Sequence, residues 1–378
     1  MADTQVNVNA PVRRVRHRDR ASQVLIYLGK QLRFFIYGND WKVLPMAGVI
    51  AALVSIVIRK DFFLTMEGDM KGAFALTCVA LWNGCFNSIQ SVVRERAIVK
   101  REHRSGMHIS SYVAAIMIYQ LLLCAAQTAL TMYVLDLLDV PFPKHGFMTR
   151  SMILDVAISM LMISYASDMV SLFLSCISHT TTSAMTMLPF VLIFQIVFSG
   201  GVFPLPEWTR PISNYTISSY GIRVIAAQSG YNEAPMETVW KTVSGMYDEE
   251  ISANVSVSQL FNLLDSPSAQ ERRDEKLTDD MTVGDLMDLA QAARDNMDPE
   301  ALEKTFPIDT TVGDIIELIG EEKAKEFLQE KTAATARKPV YDRTVTNVAG
   351  NWFILVCFAL LFALLSVIVL ERIDHDKR

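Results

Sequence analysis

The sequence predicts an all-α integral membrane protein, and three observations support this prediction. The chain of 378 residues is 51% hydrophobic and only 20% charged, with a mean hydropathy of +0.24. Six apolar runs are long enough, or nearly so, to cross a bilayer core, which takes about 20 helical residues. A single acidic block separates the fifth run from the sixth. A large soluble enzyme would carry more charge and less apolar sequence.

The formal net charge of −6 is the difference between two dissimilar parts of the chain. Residues 234–346 contain 12 Lys/Arg against 24 Asp/Glu, which is −12, and the remainder contains 23 against 17, which is +6. A nucleic-acid-binding protein needs a coherent basic surface, so this distribution argues against that class. All five cysteines lie in apolar runs, so no disulfide can cross-link the acidic block.

The first predicted elements are a basic cytoplasmic tail (1–21) and an amphipathic connecting helix (22–42). Lys30 and Arg33 lie off the apolar stripe of this helix. The stripe consists of Val24, Leu25, Leu28, Leu32, Phe35 and Ile36. Such a helix usually lies on the inner membrane surface. A soluble helix that binds a partner shows the same pattern, and the sequence leaves both interpretations open.

The membrane-spanning sequence divides into residues 43–233, with five predicted helices, and residues 347–378, with the sixth and a cytoplasmic tail. The predicted spans are Val43–Ile58, Gly72–Val93, Ile109–Leu135, Met152–Ile177, Ser183–Phe203 and Val348–Leu370. Basic residues cluster before the first span and in the connection 94–104. The positive-inside rule therefore predicts a multi-pass protein of the cell membrane with both termini in the cytoplasm and residues 234–346 outside.

The acidic block contains three copies of a short pattern that predicts helix starts. The copies begin at Ser256, Thr282 and Thr311, and each continues with Val, a small residue, Gln or Asp, and apolar positions. The Ser/Thr can cap a helix, and the acceptor three residues later can reach back to its amide. We therefore expect a helical extracytoplasmic domain. Whether the copies are true repeats or three well-capped helices stays open.

Within these 378 residues we find no motif for catalysis, for metal binding or for holding a phosphate. GxxxxGK[S/T], GxGxxG before a helix, and HExxH are all missing. We predict no catalytic residue, no metal site and no cofactor bound by this chain, which cannot hydrolyse ATP alone. In the connection Val92–Tyr112 the charges alternate in sign. This pattern is typical of a helix that docks on a partner. A juxtamembrane basic cluster that contacts anionic lipid head groups would show the same pattern.

Two stretches of sequence resemble the G-subfamily (type V) ABC exporters. The first follows the second span, is similar to the coupling-helix region of that family, and here consists of Glu95, Arg96, Arg101, Glu102, Gly106, Ser110 and Tyr112. The second follows the fifth span, is similar to the re-entrant segment of the family (here 200–225), and begins with Gly200, Gly201, Phe203, Pro204, Pro206 and Trp208. The amino-acid sequence of the first stretch is most similar to that of bacterial members, in which forkhead-associated and ATPase domains often precede the membrane part.

The resemblance implies the permease subunit of an ATP-driven exporter of an amphipathic or lipid-like substrate, working by alternating access. It implies a homodimer, a re-entrant gate after the fifth span, and an ABC ATPase subunit that binds ATP and Mg and can carry a forkhead-associated domain. Glu95, Arg96, Arg101 and Glu102 would then contact the ATPase. Family members are commonly fused to their ATPase, whereas this sequence contains none, so we expect a separate subunit. A transport-inactive sensor or scaffold, and an exporter of a cell-envelope lipid or polysaccharide, are the alternatives.

Polar and aromatic residues inside the spans are candidates for the substrate pathway. Asn83, Asn87 and Gln90 share one face of the second span, where they either line a path or hydrogen-bond to other helices. On the fifth span, a stripe at fourfold spacing either meets an apolar substrate or packs normally; it consists of Phe190, Phe194 and Phe198. Asp168, an acid inside the fourth span, is compatible with an ion pathway or with pairing to a neighbour.

Overall fold

A computed structural model describes most of the chain in two compact units. The helical unit comprises Met1–Met236 and Ala333–Arg378, and the acidic unit comprises Glu237–Thr332. The described residues are 19–38, 40–201, 205–235, 237–245, 247, 250–256, 276–278, 281–282, 288, 291, 305–311, 316, 321–322, 324–325 and 337–372.

The described part of the helical unit is built from α-helices and short 3-10 turns. In chain order its helices before the acidic unit are α1 (Arg20–Tyr37), α2 (Val43–Ile58), α3 (Met66–Ser88), α4 (Arg96–Arg104), α5 (Ile109–Leu137), α6 (Met152–Ile177), α7 (Thr181–Val197), α8 (Arg210–Ser213) and α9 (Ile217–Ser229). The acidic unit contains α10 (Glu237–Gly245), β1 (Glu250–Ser256), β2 (Lys276–Thr278), β3 (Met281–Thr282) and β4 (Thr305–Thr311). The chain then returns to the helical unit through a 3-10 turn, Pro339–Tyr341, and α11 (Val345–Glu371).

Four helical segments of the described chain are long and apolar enough to cross a membrane. They are Asp40–Ile58, which contains α2, and the helices α5, α6 and α11; α7 is apolar but shorter. The mostly helical fold and the multi-pass membrane protein are thus confirmed, whereas the count of six spans stays a prediction. Helix α3 is the least apolar of the six because it begins with Glu67, Asp69 and Lys71 and carries Asn83 and Asn87. Its polar side chains are tolerated because α3 packs against protein, on α6 and α9.

Helix α6 lies at the centre of the helical unit, packed against α3 on one side and α11 on another. Close approach of α3 and α6 depends on Gly84. A Cβ atom at this position would lie 2.0 Å from the carbonyl oxygen of Ser164 and 2.1 Å from the hydroxyl oxygen of Ser167. Small residues at such contacts let helix backbones approach in membrane proteins, where dispersion contacts drive helix association.

Helix α1 packs against the body through its polar face, and half of the residues of its apolar stripe are exposed. Gln23 and Gln31 are buried, whereas Leu25, Leu32 and Ile36 are exposed. The side-chain oxygen of Gln23 accepts a hydrogen bond from the His108 amide at 3.0 Å. A helix of a soluble domain would bury the opposite face. This arrangement is the one expected of a helix whose apolar face meets lipid.

The prediction that the acidic block is wholly helical is wrong, because its described residues include paired strands. β1 and β4 pair antiparallel from Glu250 opposite Thr311 to Ser256 opposite Thr305, and β2 pairs with β3. The reason is visible in β1, where Ile251, Ala253 and Val255 alternate with polar residues at the period of a strand.

The Ser/Thr residues that open the three repeated patterns are all at strand ends. Ser256 ends β1, Thr282 ends β3 and Thr311 ends β4. An N-cap residue has extended backbone, so a strand end is compatible with a cap. Most residues of the three predicted helices lie outside the described residues, although Asp288 and Ile316 are helical.

Candidate functional site

The contact between α1 and α4 centres on one lysine and two glutamates. The Lys30 ammonium group lies 3.1 Å from the Glu95 carboxylate and 3.9 Å from that of Glu102. The Glu95 side chain is only 8% exposed, so the ammonium group supplies the cation that a buried carboxylate needs. Burial raises the pKa of Tyr27 to about 12, and the carboxylate of Glu102 adds to this effect. The Tyr27 phenol therefore stays protonated beside the pair.

Arg96, the first residue of α4, connects this helix to the end of α6. Its guanidinium group donates to the carbonyl oxygens of Cys176 at 2.7 Å and of Ser178 at 3.2 Å. The last carbonyls of a helix have no partner within the helix, so the arginine satisfies them and complements the helix dipole. Nearby, the Ser175 hydroxyl accepts from the amides of Val92 and Val93 at 3.1 Å each. These hydrogen bonds therefore tie α4 and the segment before it to the end of α6.

Only part of the predicted ATPase contact lies on the outer face of α4. Arg101 is exposed and Ile98 beside it is 38% exposed. Glu102 is half-buried, Glu95 is buried, and Arg96 is engaged with α6. Of the four residues predicted to contact the ATPase, Arg101 therefore faces outward together with its neighbour Ile98, and Glu95, Arg96 and Glu102 face the body.

A cavity of about 510 Å³ lies between α2, α3 and α5. Asn83, Asn87 and Gln90 all line it, as their spacing on one helix face predicts. Its apolar lining residues include Met46, Ile50, Trp82, Phe86 and Leu123, and its charged ones include Asp40, Lys42, Arg94 and Glu95. A largely apolar cavity lined by a few polar and charged groups suits an amphipathic molecule.

Asn87 and Gln127 form a reciprocal amide pair between α3 and α5. The amide nitrogen of Asn87 donates to the Gln127 side-chain oxygen at 2.8 Å, and the Gln127 nitrogen donates back at 3.1 Å. Gln120 donates to the Asn87 carbonyl oxygen at 3.3 Å. Asn87 therefore hydrogen-bonds between helices and also lines the cavity, whereas its place in a substrate pathway stays a prediction. For Asn83 the described residues show no such hydrogen bond.

Asp168 is fully buried beneath this pair. The Cys124 thiol donates to its carboxylate at 3.6 Å, and the Asn87 amide nitrogen donates to the same sulfur at 3.6 Å. Among the described residues no Lys or Arg lies within salt-bridge distance of the Asp168 carboxylate. The acid is thus linked to the cavity through Cys124 and Asn87.

The phenylalanine stripe of α7 lies apart from the cavity within one chain. Phe190 is 75% exposed and Phe194 is 41% exposed, and the rings of Phe194 and Phe198 lie 5.0 Å apart. From α7 the described cavity wall includes Met185. The stripe therefore faces outward, where lipid or a second copy of the chain can meet it.

The predicted gate follows α7. Gly200 has a φ of +71°, which favours glycine. A Cβ atom on Gly201 would lie 2.6 Å from the Ile222 side chain. Pro206 opens a 3-10 turn in which Trp208 is exposed. Phe203 and Pro204 lie outside the described residues.

Sequence reasoning missed Lys30 and Cys124 as members of the site. Lys30 lies off the apolar stripe, and its position opposite the glutamates depends on how α1 docks. Gln120 and Gln127 lie seven residues apart on α5, the spacing of one helix face, and as polar residues inside a span they are predicted to hydrogen-bond to a neighbouring helix. Both side chains do bond to Asn87 of α3.

Comparison with known proteins identifies a family and a relative for the helical region. The family model described as ABC-2 type transporter matches residues 22–227, which run from α1 into α9. An ABC transporter ATP-binding/permease protein of Mycobacterium tuberculosis is 29% identical over 196 residues, which is 48% of this chain and 22% of the relative. The chain thus spans about a fifth of the length of that curated relative.

Proposed function

The chain belongs to the ABC-2 type transporter family, and we infer that it is the transmembrane permease of an ATP-binding cassette exporter of type V architecture. The observation that carries this proposal is the attachment of α4. Its outer face presents Ile98 and Arg101, while Arg96 ties its first turn to the end of α6. Force applied to α4 by an ATPase would therefore move a helix at the centre of the unit.

ATP hydrolysis is assigned to a separate ABC ATPase chain in this proposal. The 378 residues contain no phosphate-binding loop, and the relative from Mycobacterium tuberculosis is named for both ATP binding and a permease. The ATPase that we propose can carry a forkhead-associated domain.

The end of the helical unit that carries α4 faces the cytoplasm, because the Lys/Arg excess of 94–104 favours that side. The acidic unit is then extracytoplasmic.

The cargo that best fits is an amphipathic or lipid-like molecule. Trp82 and Phe86 line the cavity with apolar and aromatic surface. Asn83 and Gln90 can form hydrogen bonds there, and Lys42 supplies a positive charge.

We propose that two copies of the chain assemble with their exposed α7 stripes facing each other. Closure of the ATPases would then alternate access to the cavities. A cell-envelope lipid is the form of cargo that the apolar wall favours.

The proposal is tested by purifying the chain with the ABC ATPase encoded beside its gene. We expect a stable complex whose ATP hydrolysis in lipid nanodiscs depends on the permease. Ile98→Asp together with Arg101→Glu should remove that dependence, because these exposed residues form the contact. Arg33→Glu, an exposed cation on α1, is the matched control and should leave hydrolysis unchanged. Failure of any ATPase to co-purify, or normal coupling in the double variant, would overturn the proposal.

A further inference from the structure

A second cavity, of about 250 Å³, lies at the end of the helical unit opposite to α4. Helix α7 starts just after Ser178, beside the Arg96 contact, and the cavity lies beyond its far end. Its walls come from the turn after α7, from α8 and α9, and from the 3-10 turn before α11. The polar groups that line it are Ser199, Arg210, Ser213, Ser219, Arg223 and Lys338.

Three cations line this cavity, and no described residue neutralises them. Among the described residues no carboxylate lies within 4 Å of Arg210, Arg223 or Lys338, although Lys30, Arg94 and Arg343 all have such partners. The Arg223 guanidinium donates to the Asn214 side-chain oxygen at 3.1 Å.

Two of the cations also lie over aromatic rings. Arg223 lies 5.0 Å from the centre of the Tyr220 ring, and Lys338 lies 5.8 Å from that of Tyr341. These neutral contacts fix the direction of the cations without cancelling their charge.

One serine hydroxyl on the cavity wall has no hydrogen-bond partner in the described chain. Ser219 lines the cavity and is 2% exposed as a residue, and its hydroxyl makes no hydrogen bond to a described residue. Ser199 and Ser213 differ, because their hydroxyls donate to the carbonyl oxygens of Ile196 and Arg210 at 2.8 Å each. The Ser219 hydroxyl is therefore a donor available to a ligand in the cavity.

Positive charge at this end of the molecule needs a local reason. In the proposed topology the end opposite to α4 is extracytoplasmic, where Lys and Arg are comparatively scarce near spans. A cluster of three cations around one cavity is what an oxyanion requires, since guanidinium groups donate strong hydrogen bonds to phosphate oxygens. The volume is below the 300 Å³ or so at which pockets for drug-sized ligands begin. It therefore suits a head group and excludes acyl chains.

We propose that this cavity binds the phosphate group of a phosphate ester, presented by a lipid head group or by a soluble molecule at the extracytoplasmic side. The site goes beyond the proposed export function, and it is assigned to this chain alone. Arg210 and Arg223 would hold the phosphate oxygens, with Lys338 and Ser219 completing the contact.

Native mass spectrometry of the full chain in phosphate-free maltoside detergent tests the proposal. The probes are glycerol 3-phosphate and dioctanoyl phosphatidylglycerol, with glycerol and dioctanoylglycerol as phosphate-free references. We expect at least one phosphate probe to bind and both references not to bind. In the double variant Arg210→Gln/Arg223→Gln the affinity should fall by about tenfold or more, because charge-assisted hydrogen bonds are lost.

Charge-matched controls separate the site from general electrostatics. Lys144→Gln/Arg150→Gln removes two exposed cations from the connection before α6, outside the described wall of the cavity. This control should bind as the unmodified protein does. Lys338→Gln provides a second test if the arginine variants do not fold. Binding of neither phosphate probe, or equal loss in the control, would overturn the proposal. Binding of the lipid alone or of the soluble ester alone identifies the source of the phosphate.

Discussion

Lys30 of α1 and Glu95, the N-cap residue of α4, lie 3.1 Å apart and join the surface helix to the helix that we propose as the ATPase contact. The pair is asymmetric, because the lysine side chain is partly exposed and the glutamate is almost fully buried. Loss of the pair would therefore leave an unpaired buried charge at Glu95, but only a partly solvated charge at Lys30. Lys30 therefore links α1 to α4 through both Glu95 and Glu102.

Lys30→Met should destabilise the protein and uncouple transport from ATP hydrolysis. The substitution keeps the length of the side chain but leaves a buried carboxylate without its cation, at a cost of about 1–3 kcal/mol. A lower melting temperature of the full chain and a lower ratio of export to hydrolysis are the measurements. Arg33→Met is the control, since Arg33 is exposed on the same helix. Equal behaviour of the two variants would show that the pair has no role.

Arg96→Gln should uncouple transport more than Arg94→Gln does. Arg96 satisfies the terminal carbonyls of α6, so its loss disconnects α4 from the central helix. Arg94 pairs with Asp40 at 3.3 Å on the surface, a kind of contact that contributes about 0–1 kcal/mol. Export per ATP hydrolysed in proteoliposomes is the measurement. If Arg94→Gln proved the more damaging change, the connection to α6 would not transmit the movement of α4.

The sequence predicts the spans better than it predicts their contacts. Val43–Ile58 and Met152–Ile177 have the same bounds as sequence segments and as helices, because each predominantly apolar run is bounded by polar or charged residues. The strands β1 and β4 were missed because their pairing partners are far apart in the chain. The cavity face of α3 follows from spacing on one helix. The inward direction of the Arg96 side chain does not follow from spacing, because its acceptor, the carbonyl oxygen of Cys176, is 80 residues away in the chain.

Asn83→Leu and Asn87→Leu should separate the two roles of the polar face of α3. Asn87 lines the cavity and is paired with Gln127, so its replacement should lower both stability and transport. Asn83 lines the cavity without such a pair, so its replacement should change transport while the melting temperature stays constant. A double-mutant cycle of Asn87→Leu with Gln127→Leu should give a coupling energy of about 0.6–2 kcal/mol. A coupling energy of zero would contradict a stabilising role of the Asn87–Gln127 pair between α3 and α5.

Gly84→Ala should destabilise the helical unit by about 1–3 kcal/mol, the usual cost of overpacking. The new methyl group would meet the carbonyl of Ser164, a backbone atom of α6 that cannot move alone. Gly350→Ala on α11 is the matched control, because nothing lies within 4 Å of a Cβ there. The control should be neutral or stabilising, since alanine favours helix over glycine by about 1 kcal/mol. Thermal unfolding in detergent compares the two, and equal melting temperatures would contradict the close approach of α3 and α6.

The two connections of the helical unit to residues 237–332 are tied together by Asn232. Its side-chain nitrogen donates to the Asp342 carboxylate at 2.7 Å and to the Lys338 carbonyl oxygen at 3.0 Å. Its side-chain oxygen accepts from the Lys338 amide at 3.2 Å. Next to it, Arg343 pairs with Glu233 at 3.2 Å. These contacts lie within the helical unit, so they do not depend on the residues between them.

Replacing residues 237–332 with a flexible Gly/Ser linker of about ten residues should therefore leave the helical unit folded, because closing a loop of that length costs little once its ends are held. The expected result is a monodisperse protein in detergent whose melting temperature is close to that of the full chain. Adding Asn232→Leu to the shortened protein should lower that temperature by several degrees, since the buried Asn232 side chain loses its hydrogen bonds to Lys338 and Asp342. Thr346→Leu, on an exposed polar residue of α11 whose side chain makes no hydrogen bond to a described residue, is the control for a change from polar to apolar. Aggregation of the shortened protein with Asn232 intact would mean that the acidic unit is needed to fold the membrane body.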